Sequence, residues 1–387
     1  CFFIIGRTAL HIKIEPNKEA HGTTNARVQA SVLSLYDSLR LKEPLLDGES
    51  ISWSDANSQI IKKLEDVKTG GKTIAFLTST DASPLTSDLI NQLGKNYGDV
   101  RHVIYDSVSE SAAIDAFEAM YGSRALPSYD FSKASTIVSI GADFLGDWQG
   151  GGFDVGYAKG RVPDHGKMSH HTQFEANMSL SGANADVRVK AKPSVQKILL
   201  ADLYNVIVNG ASAKDANVAK AVKQIKSAGS NAVVITGIQD KDAQLLALAI
   251  NKAISSEVVD ASITNNTRQG NDTAVAQLIS DMKSGTIGAL IINNSNPVYT
   301  LADSAEFVEG IGKVDVSVAF SMTNNETVEA VQYALATPHY LESWGVHEMK
   351  KGAFSLMQPT IRPLFDTKQF QDCLLQWNGK SESYNDY

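Results

Sequence analysis

The feature that most constrains this chain is a repeated alternation of short, continuously apolar runs with amphipathic helical stretches. Lys72-Thr73-Ile74-Ala75-Phe76-Leu77, Val103-Ile104-Tyr105, Thr136-Ile137-Val138-Ser139-Ile140, Ala232-Val233-Val234-Ile235-Thr236, Ala289-Leu290-Ile291-Ile292 and Val314 to Phe320 read as strands. Helical spacing occupies Leu85 to Tyr97, Ser111 to Tyr121, Ser194 to Val208, Ala216 to Ala228, Asp240 to Ile254 and Asp272 to Lys283. Gly98 and Gly122 close the first two of these. A strand that is apolar on both faces must be covered on both, and strand–helix alternation covers parallel strands in that way. The expected fold is therefore α/β, with two parallel-sheet, Rossmann-like units carrying helices on both faces.

The rhythm divides the chain in sequence order. Residues 1–70 read as an N-terminal β/helical segment. In it His11-Ile12-Lys13-Ile14 alternates as a strand and Glu15-Pro16-Asn17 stops it. Asn25 to Tyr36 has helical spacing, and Asp37 to Gly48 is a polar connection. A helix then runs to about Lys68, with Ser54 expected as its cap and Asp55 at the positive end of its dipole. Residues 71–192 form the first α/β unit, and 193–336 the second. Within the first, residues 146–192 break the rhythm and read as a long irregular excursion of the kind suited to partner contact. Residues 337–387 are richer in proline and aromatics and read as a C-terminal extension draped over the body.

Charge and composition exclude several functions. The formal charge is −8 and no block of Lys and Arg exists, which argues against nucleic acid as a partner. Arg188, Lys190 and Lys192 alternate as one solvated strand face. No apolar run approaches the ~20 residues that span a bilayer. The two cysteines, Cys1 and Cys373, stand at opposite ends, whereas a cubane iron–sulfur cluster takes four thiolates. Cys1 leaves open a lipid-modified terminus or a fragment start.

The residues that could carry chemistry do not assemble into a known pattern. His165, His170 and His171 are close in sequence, but neighbouring side chains point apart, and loop histidines bonded to backbone explain them. His339 and His347 flank Glu342 and Glu348 without a common ligand spacing. Gly141 and Gly146, Gly150 to Gly152, and Gly237 lack the spacing of a dinucleotide fingerprint. Ser179 and Ser181 lie outside any Gly-x-Ser-x-Gly frame. No catalytic, cofactor-binding or metal-binding residue is assigned.

Several longer stretches nevertheless carry a resemblance. They are Thr24-Asn25-Ala26-Arg27-Val28-Gln29-Ala30-Ser31-Val32-Leu33-Ser34-Leu35-Tyr36-Asp37, then Ser139-Ile140-Gly141-Ala142-Asp143-Phe144-Leu145-Gly146. Met168-Ser169-His170-His171-Thr172-Gln173-Phe174-Glu175 and Met178-Ser179-Leu180-Ser181-Gly182-Ala183-Asn184-Ala185-Asp186 follow. His339-Tyr340-Leu341-Glu342-Ser343-Trp344-Gly345 and Gln358-Pro359-Thr360-Ile361 complete the set. In this order they resemble the molybdopterin oxidoreductase-like domain of the B, iron–sulfur subunit of bacterial alternative complex III, a quinol:electron-acceptor oxidoreductase. More distantly, Asn324-Asn325-Glu326-Thr327-Val328 is similar to a Thr-Glu-Thr-Ala stretch of the molybdopterin oxidoreductases, and Asn294-Ser295-Asn296-Pro297 to their Gly-x-Asn-Pro turn.

The resemblance implies a structural and docking domain of a membrane-associated quinol oxidoreductase in respiratory or photosynthetic electron transfer, with no cofactor of its own. It implies iron–sulfur clusters in a further domain beyond Tyr387. Its partners would be that domain, a multihaem cytochrome and quinol-oxidising integral membrane subunits. The location implied is the periplasmic side of the inner membrane, reached through a twin-arginine signal that these residues do not include. The alternative is a catalytic molybdopterin-dependent oxidoreductase domain with bound cofactor. Where that superfamily places a metal ligand, Asp106 to Ser111 offers no Cys. Ser107, Ser109 and Ser111 read instead as caps of the helix starting near Ser111. Cys1 and Cys373 are expected to be ordinary terminal or buried thiols.

Overall fold

The alternation builds two units, of residues 1–109 with 270–387 (unit 1) and of residues 110–269 (unit 2). A computed structural model describes residues 2–8, 11–16, 24–163 and 166–387; Cys1, Asn17 and His165 fall outside them. The units do not follow the sequence-order division. Residues 71–109 group with the chain after 270, because the chain leaves unit 1 after one strand–helix–strand turn and returns to the same sheet.

The chain opens with an antiparallel pair, β1 (Phe2–Thr8) and β2 (His11–Pro16). Helix α1 (Ala26–Ala30), capped by Asn25, tightens into a 3₁₀ turn over Ser31–Tyr36. The short strands β3 (Leu45–Leu46) and β4 (Glu49–Ser50) precede helix α2 (Trp53–Thr69). The cap of α2 is Ser52, whose hydroxyl accepts from the Asp55 amide, and not Ser54, which already lies in the first helical turn. Strand β5 (Thr73–Thr78), helix α3 (Pro84–Tyr97) and strand β6 (Val100–Ile104) complete the first turn of the fold.

Unit 2 begins with α4 (Ser111–Tyr121), β7 (Leu126–Tyr129) and β8 (Thr136–Ile140). The span 146–192, expected to be irregular, is largely regular. It holds α5 (Asp154–Arg161), β9 (His170–Glu175), α6 (Leu180–Ala183) and β10 (Val187–Lys190). Helices α7 (Pro193–Val208) and α8 (Ala216–Ala228), strand β11 (Ala232–Thr236), helix α9 (Lys241–Ala253) and strand β12 (Val259–Asn265) finish the unit. Its four-stranded sheet runs β10-β9-β8-β11, all parallel. Val138, Ile140, Ala232 and Val234 pack on the apolar sides of α7, α8 and α9. Ile137, Val233 and Ile235 face an aromatic cluster of Phe131, Phe144, Trp148, Phe153 and Tyr157. Strand β9 escapes a hydrophobicity reading because, of its two buried faces, one is polar: His171, Gln173 and Glu175 are all buried there.

The chain re-enters unit 1 through α10 (Asp272–Ser284), β13 (Ile287–Asn293), α11 (Pro297–Thr300) and α12 (Ser304–Ile311). Next come β14 (Val316–Ser321), α13 (Glu326–Ala330) and β15 (Tyr333–Ala336). A hairpin of β16 (Gly345–Lys350) and β17 (Ala353–Met357) and helix α14 (Phe370–Trp377) close the chain. The seven-stranded sheet has the order β4-β3-β15-β14-β13-β5-β6, with β15 to β6 mutually parallel. Period-2 alternation splits its core. Ile74, Phe76, Ala289 and Ile291 face α2, α3 and α14; Ala75, Leu77, Leu290 and Ile292 face α10 and α12. The C-terminal stretch is thus not a surface drape. Phe370, Cys373, Leu374 and Trp377 of α14 sit in the core, and burial pushes the Cys373 thiol up to about 12.

Candidate functional site

In an open parallel sheet the carboxyl ends of the strands part where the strand order reverses, and that crevice receives ligands. In unit 1 the reversal lies between β5 and β13. The crossover from β5 leads to β6 on one side, whereas β13, β14 and β15 step away on the other. A cleft of about 450 Å³ opens there. Its walls come from Ser79 to Ser83 after β5, Asn293 and Asn294 after β13, Met322 after β14, and Thr337 to Tyr340 after β15. Trp344, His347, Gln369 and Tyr384 complete it.

Backbone geometry around this cleft is unusual. Ala82 and Asn294, in the loops after the adjacent strands β5 and β13, hold φ of +51° each, a left-handed conformation that non-glycine residues rarely adopt. Asn294 donates from Nδ2 to the Ser79 hydroxyl at 3.2 Å, joining the two loops. The His347 Nδ1–H donates to the Asp81 carbonyl at 2.9 Å and lies 3.4 Å from the Asp81 carboxylate. The other carboxylate oxygen of Asp81 is enclosed and has no donor. The buried Tyr384 hydroxyl stands beside Ser83 and the Val346 backbone. Gln369 pins the Trp344 backbone, accepting from its N–H at 2.9 Å and donating to its C=O at 2.8 Å.

Behind the cleft lies a buried ion pair. Arg40 donates to Glu342 at 2.7 Å, with both side chains almost wholly enclosed, and stacks over Phe365 at 4.9 Å. Glu342 also accepts from the amides of His339 (2.7 Å) and Leu364 (3.0 Å), and these partners hold its carboxyl below the usual range against the opposing effect of burial. His339 Nδ1 accepts from the Leu341 amide, so Nε2 carries the proton and donates toward Ser34 at 2.8 Å. Burial lowers its pKa, in keeping with that neutral form.

The carboxyl edge of the unit 2 sheet is filled by its own chain. Gly141, at φ +73°, lies where an added Cβ would meet the Gln196 amide oxygen at 2.6 Å, and a Cβ on Gly237 would strike the Gly141 and Ala142 backbone. Asp143 accepts from the Ser181 amide (2.9 Å) and hydroxyl (2.8 Å). Glu175 accepts from the Ser179 hydroxyl (2.6 Å) and from Arg188 Nε (2.5 Å). Along β9, His171 Nε2 meets Gln173 Oε1 at 3.1 Å and its Nδ1 meets the Tyr157 hydroxyl at 3.3 Å. Burial lowers the His171 pKa to about 4.

The histidines grouped by sequence therefore separate. His170 and His171 occupy opposite faces of β9 and not a loop, and His170 Nε2 pairs with Gln224 at 3.0 Å. His339 and His347 do meet, on the walls of one cleft. Among the described residues no group of three His, Cys, Asp or Glu side chains is placed to hold a metal. Ser179 caps α6 and Ser181 serves Asp143. Ser109 donates to Asp272 at 2.7 Å, and the cap position of α4 belongs to Glu110, so the expected serine caps are corrected. Asp106 accepts from the Thr80 amide and the Gly270 amide, each at 3.0 Å. The two stretches carrying the distant resemblance clasp each other: Asn296 Oδ1 accepts from the Thr327 hydroxyl at 2.7 Å. Asp81 and Tyr384 were not singled out by sequence. The visible signal was the Ser83-Pro84 helix start directly after an apolar strand.

No family model matches the chain. The chain is 23% identical, over 93% of its length, to the menaquinone reductase, molybdopterin-binding-like subunit of Nitratidesulfovibrio vulgaris (strain Hildenborough), and spans 60% of that relative. Among solved structures it is similar to acetylene hydratase from Pelobacter acetylenicus, with a TM-score of 0.79 at 13% identity, covering 99% of this chain and 68% of that one. It is also similar to the formyltransferase/hydrolase complex FhcABCD from Methylorubrum extorquens, with a TM-score of 0.59 at 12% identity, covering 87% of this chain and 98% of that one. The fold is shared with that acetylene hydratase, with parallel sheets and helices on both faces.

Proposed function

We propose that this chain is a scaffold and docking domain of a membrane-associated quinol oxidoreductase of the alternative complex III type, with no cofactor of its own. The relative's name, a molybdopterin-binding-like subunit of a menaquinone reductase, supports a place in quinone-linked electron transfer. On this reading the chain stands on the periplasmic side of the inner membrane, beside an iron–sulfur domain, a multihaem cytochrome and quinol-oxidising membrane subunits. No helix among the described residues is long and apolar enough to cross a membrane, which suits a peripheral part of such a complex.

The observation that carries the cofactor-free reading is the charge of the unit 1 cleft. A molybdopterin bears phosphate, and phosphate is held by Arg, Lys or a row of backbone N–H groups brought close by glycine. None of the described residues lining the cleft is Arg or Lys, the loop Ser79 to Ser83 has no glycine, and Asp81 adds a negative charge. These residues do not fit the group. A catalytic molybdopterin domain, the rival reading, takes its support from the open cleft at the switch point alone. Elemental analysis of the purified chain separates the two. The expected result is no stoichiometric molybdenum or tungsten; a metal bound one-to-one would overturn the proposal.

A further inference from the structure

We infer that the cleft at the carboxyl edge of the unit 1 sheet is a docking site for a basic side chain, an Arg or Lys presented by an extended segment of a partner protein. The inference rests on the docking reading and names the site through which docking would occur. A carboxylate is ordinarily satisfied by several donors. Asp81 has one oxygen without any, and its other oxygen has only the 3.4 Å approach of His347 Nδ1. That imidazole proton is already directed at the Asp81 carbonyl at 2.9 Å.

The surroundings favour a cation over other occupants. No Arg or Lys lines the cleft among the described residues, so no internal cation competes for Asp81. The faces of Trp344 and Tyr340, each 38% exposed, stand in the same wall, and aromatic faces attract ammonium and guanidinium groups. Trp344 is held in place by the two Gln369 bonds to its backbone. The Tyr384 hydroxyl, in a residue 6% exposed, stands beside Ser83 and the Val346 backbone at the same wall, and its oxygen can accept. A formal charge of −8 on the whole chain adds long-range attraction for a basic segment. The unpartnered Asp81 oxygen is enclosed, so entry of the cation requires rotation about the two side-chain torsions of Asp81. The left-handed backbone at Ala82, its neighbour, marks the loop that carries it.

The test uses the full chain and the blocked tripeptide acetyl-Gly-Arg-Gly-amide, followed by the NMR signal of the Trp344 indole N–H, assigned with Trp344→Phe. Saturable shifts are expected at millimolar peptide, weakened about tenfold or more in Asp81→Asn, the loss typical of a charge-assisted hydrogen bond. The isosteric variant is expected to melt no lower than the parent, because it removes a charge that has no donor. An unmoved Trp344 signal, equal affinity in Asp81→Asn, or the same shifts from acetyl-Gly-Glu-Gly-amide would each overturn the site. A drop in melting temperature would also count against it, since it would mean that Asp81 is structurally paired. Failure here leaves the cofactor-free reading standing, because that reading falls only to bound molybdenum or tungsten.

Discussion

Both units are built on a parallel sheet, yet their carboxyl edges differ. In unit 1 the loops after β5, β13, β14 and β15 stand apart around a cleft, and Asp81 keeps a carboxylate oxygen without a donor. In unit 2 the loops after β8 and β9 are drawn together by Asp143, Glu175, Ser179, Ser181 and Arg188, and the turns after β8 and β11 touch backbone to backbone at Gly141 and Gly237. Topology sets where a crevice can form. Whether it stays open is decided by the residues after each strand: short polar side chains that find one another close it, and small residues in left-handed turns let the backbones meet.

The sharpest way to break this comparison is at the ion pair behind the open edge. Arg40→Met leaves Glu342 buried without its cation, and removing one partner of such a pair typically costs ~3–5 kcal/mol. Hydrogen exchange should show β15 and the segment 339–345 losing protection while β8, β9 and β11 keep theirs. Equal loss in both units would mean that the two edges do not stand independently.

Acid should act on unit 1 through His102 and His339 and on unit 2 through His171. Burial lowers His102, on β6 beside Thr78, and His171, on β9, from 6.5 to about 4. A depressed histidine favours the folded state while both states are neutral. Below 6.5 the unfolded chain binds a proton that the folded chain refuses, so stability falls until about 4, where both are charged. His102 and His171 can each remove roughly 3 kcal/mol across that window. Urea unfolding at a series of pH values should show a shallower dependence in His171→Gln, with His102 and His339 contributing to the remaining slope. An unchanged slope in that variant would remove His171 from the account.

At the closed edge, Gly237→Ala places a methyl against the Gly141 and Ala142 backbone, which cannot yield as a side chain would. A loss of roughly 2–3 kcal/mol is expected, read from the urea midpoint, with the reduced protection confined to β8 and β11. A neutral outcome would show that the turns can part, and that the unit 2 edge is closed only by its polar side chains.

Much of the fold was legible because apolar runs and helical spacing have fixed periods. Ser111–Tyr121, Thr136–Ile140, Ala216–Ala228 and Ala232–Thr236 all appear at the bounds their sequence gave. Strand β9 was not legible, because hydrogen bonding among His171, Gln173 and Glu175 replaces apolar contact and leaves no hydrophobic signature. Helix α14 had a helical period in Phe370, Cys373, Leu374 and Trp377, but its proline-rich approach masked it. Of the cleft, His339 and His347 stand out in the sequence, but as a pair without a ligand spacing, and nothing in that spacing shows that they line one wall. Asp81 was invisible, since a carboxylate lacking a donor is a property of three-dimensional surroundings and not of a motif.

The smallest expected effect is the most discriminating. Asn294 and Gly141 occupy equivalent places, each just after a central strand and each left-handed, at φ +51° and +73°. Gly141 has no room for a side chain because Gln196 fills the space, whereas Asn294 is exposed and reaches Ser79 across the loop. Asn294→Gly relieves left-handed strain of ~1 kcal/mol, modest for asparagine, and gives back a similar amount through a freer unfolded chain and one lost exposed hydrogen bond. The urea midpoint should therefore move by less than the equivalent of ~0.5 kcal/mol. A clear destabilisation would mean that the Asn294–Ser79 bond braces its loops as Asp143–Ser181 does in unit 2. The open edge would then be tied by the same means as the closed one, and the contrast would rest on the length of the side chains between the loops alone.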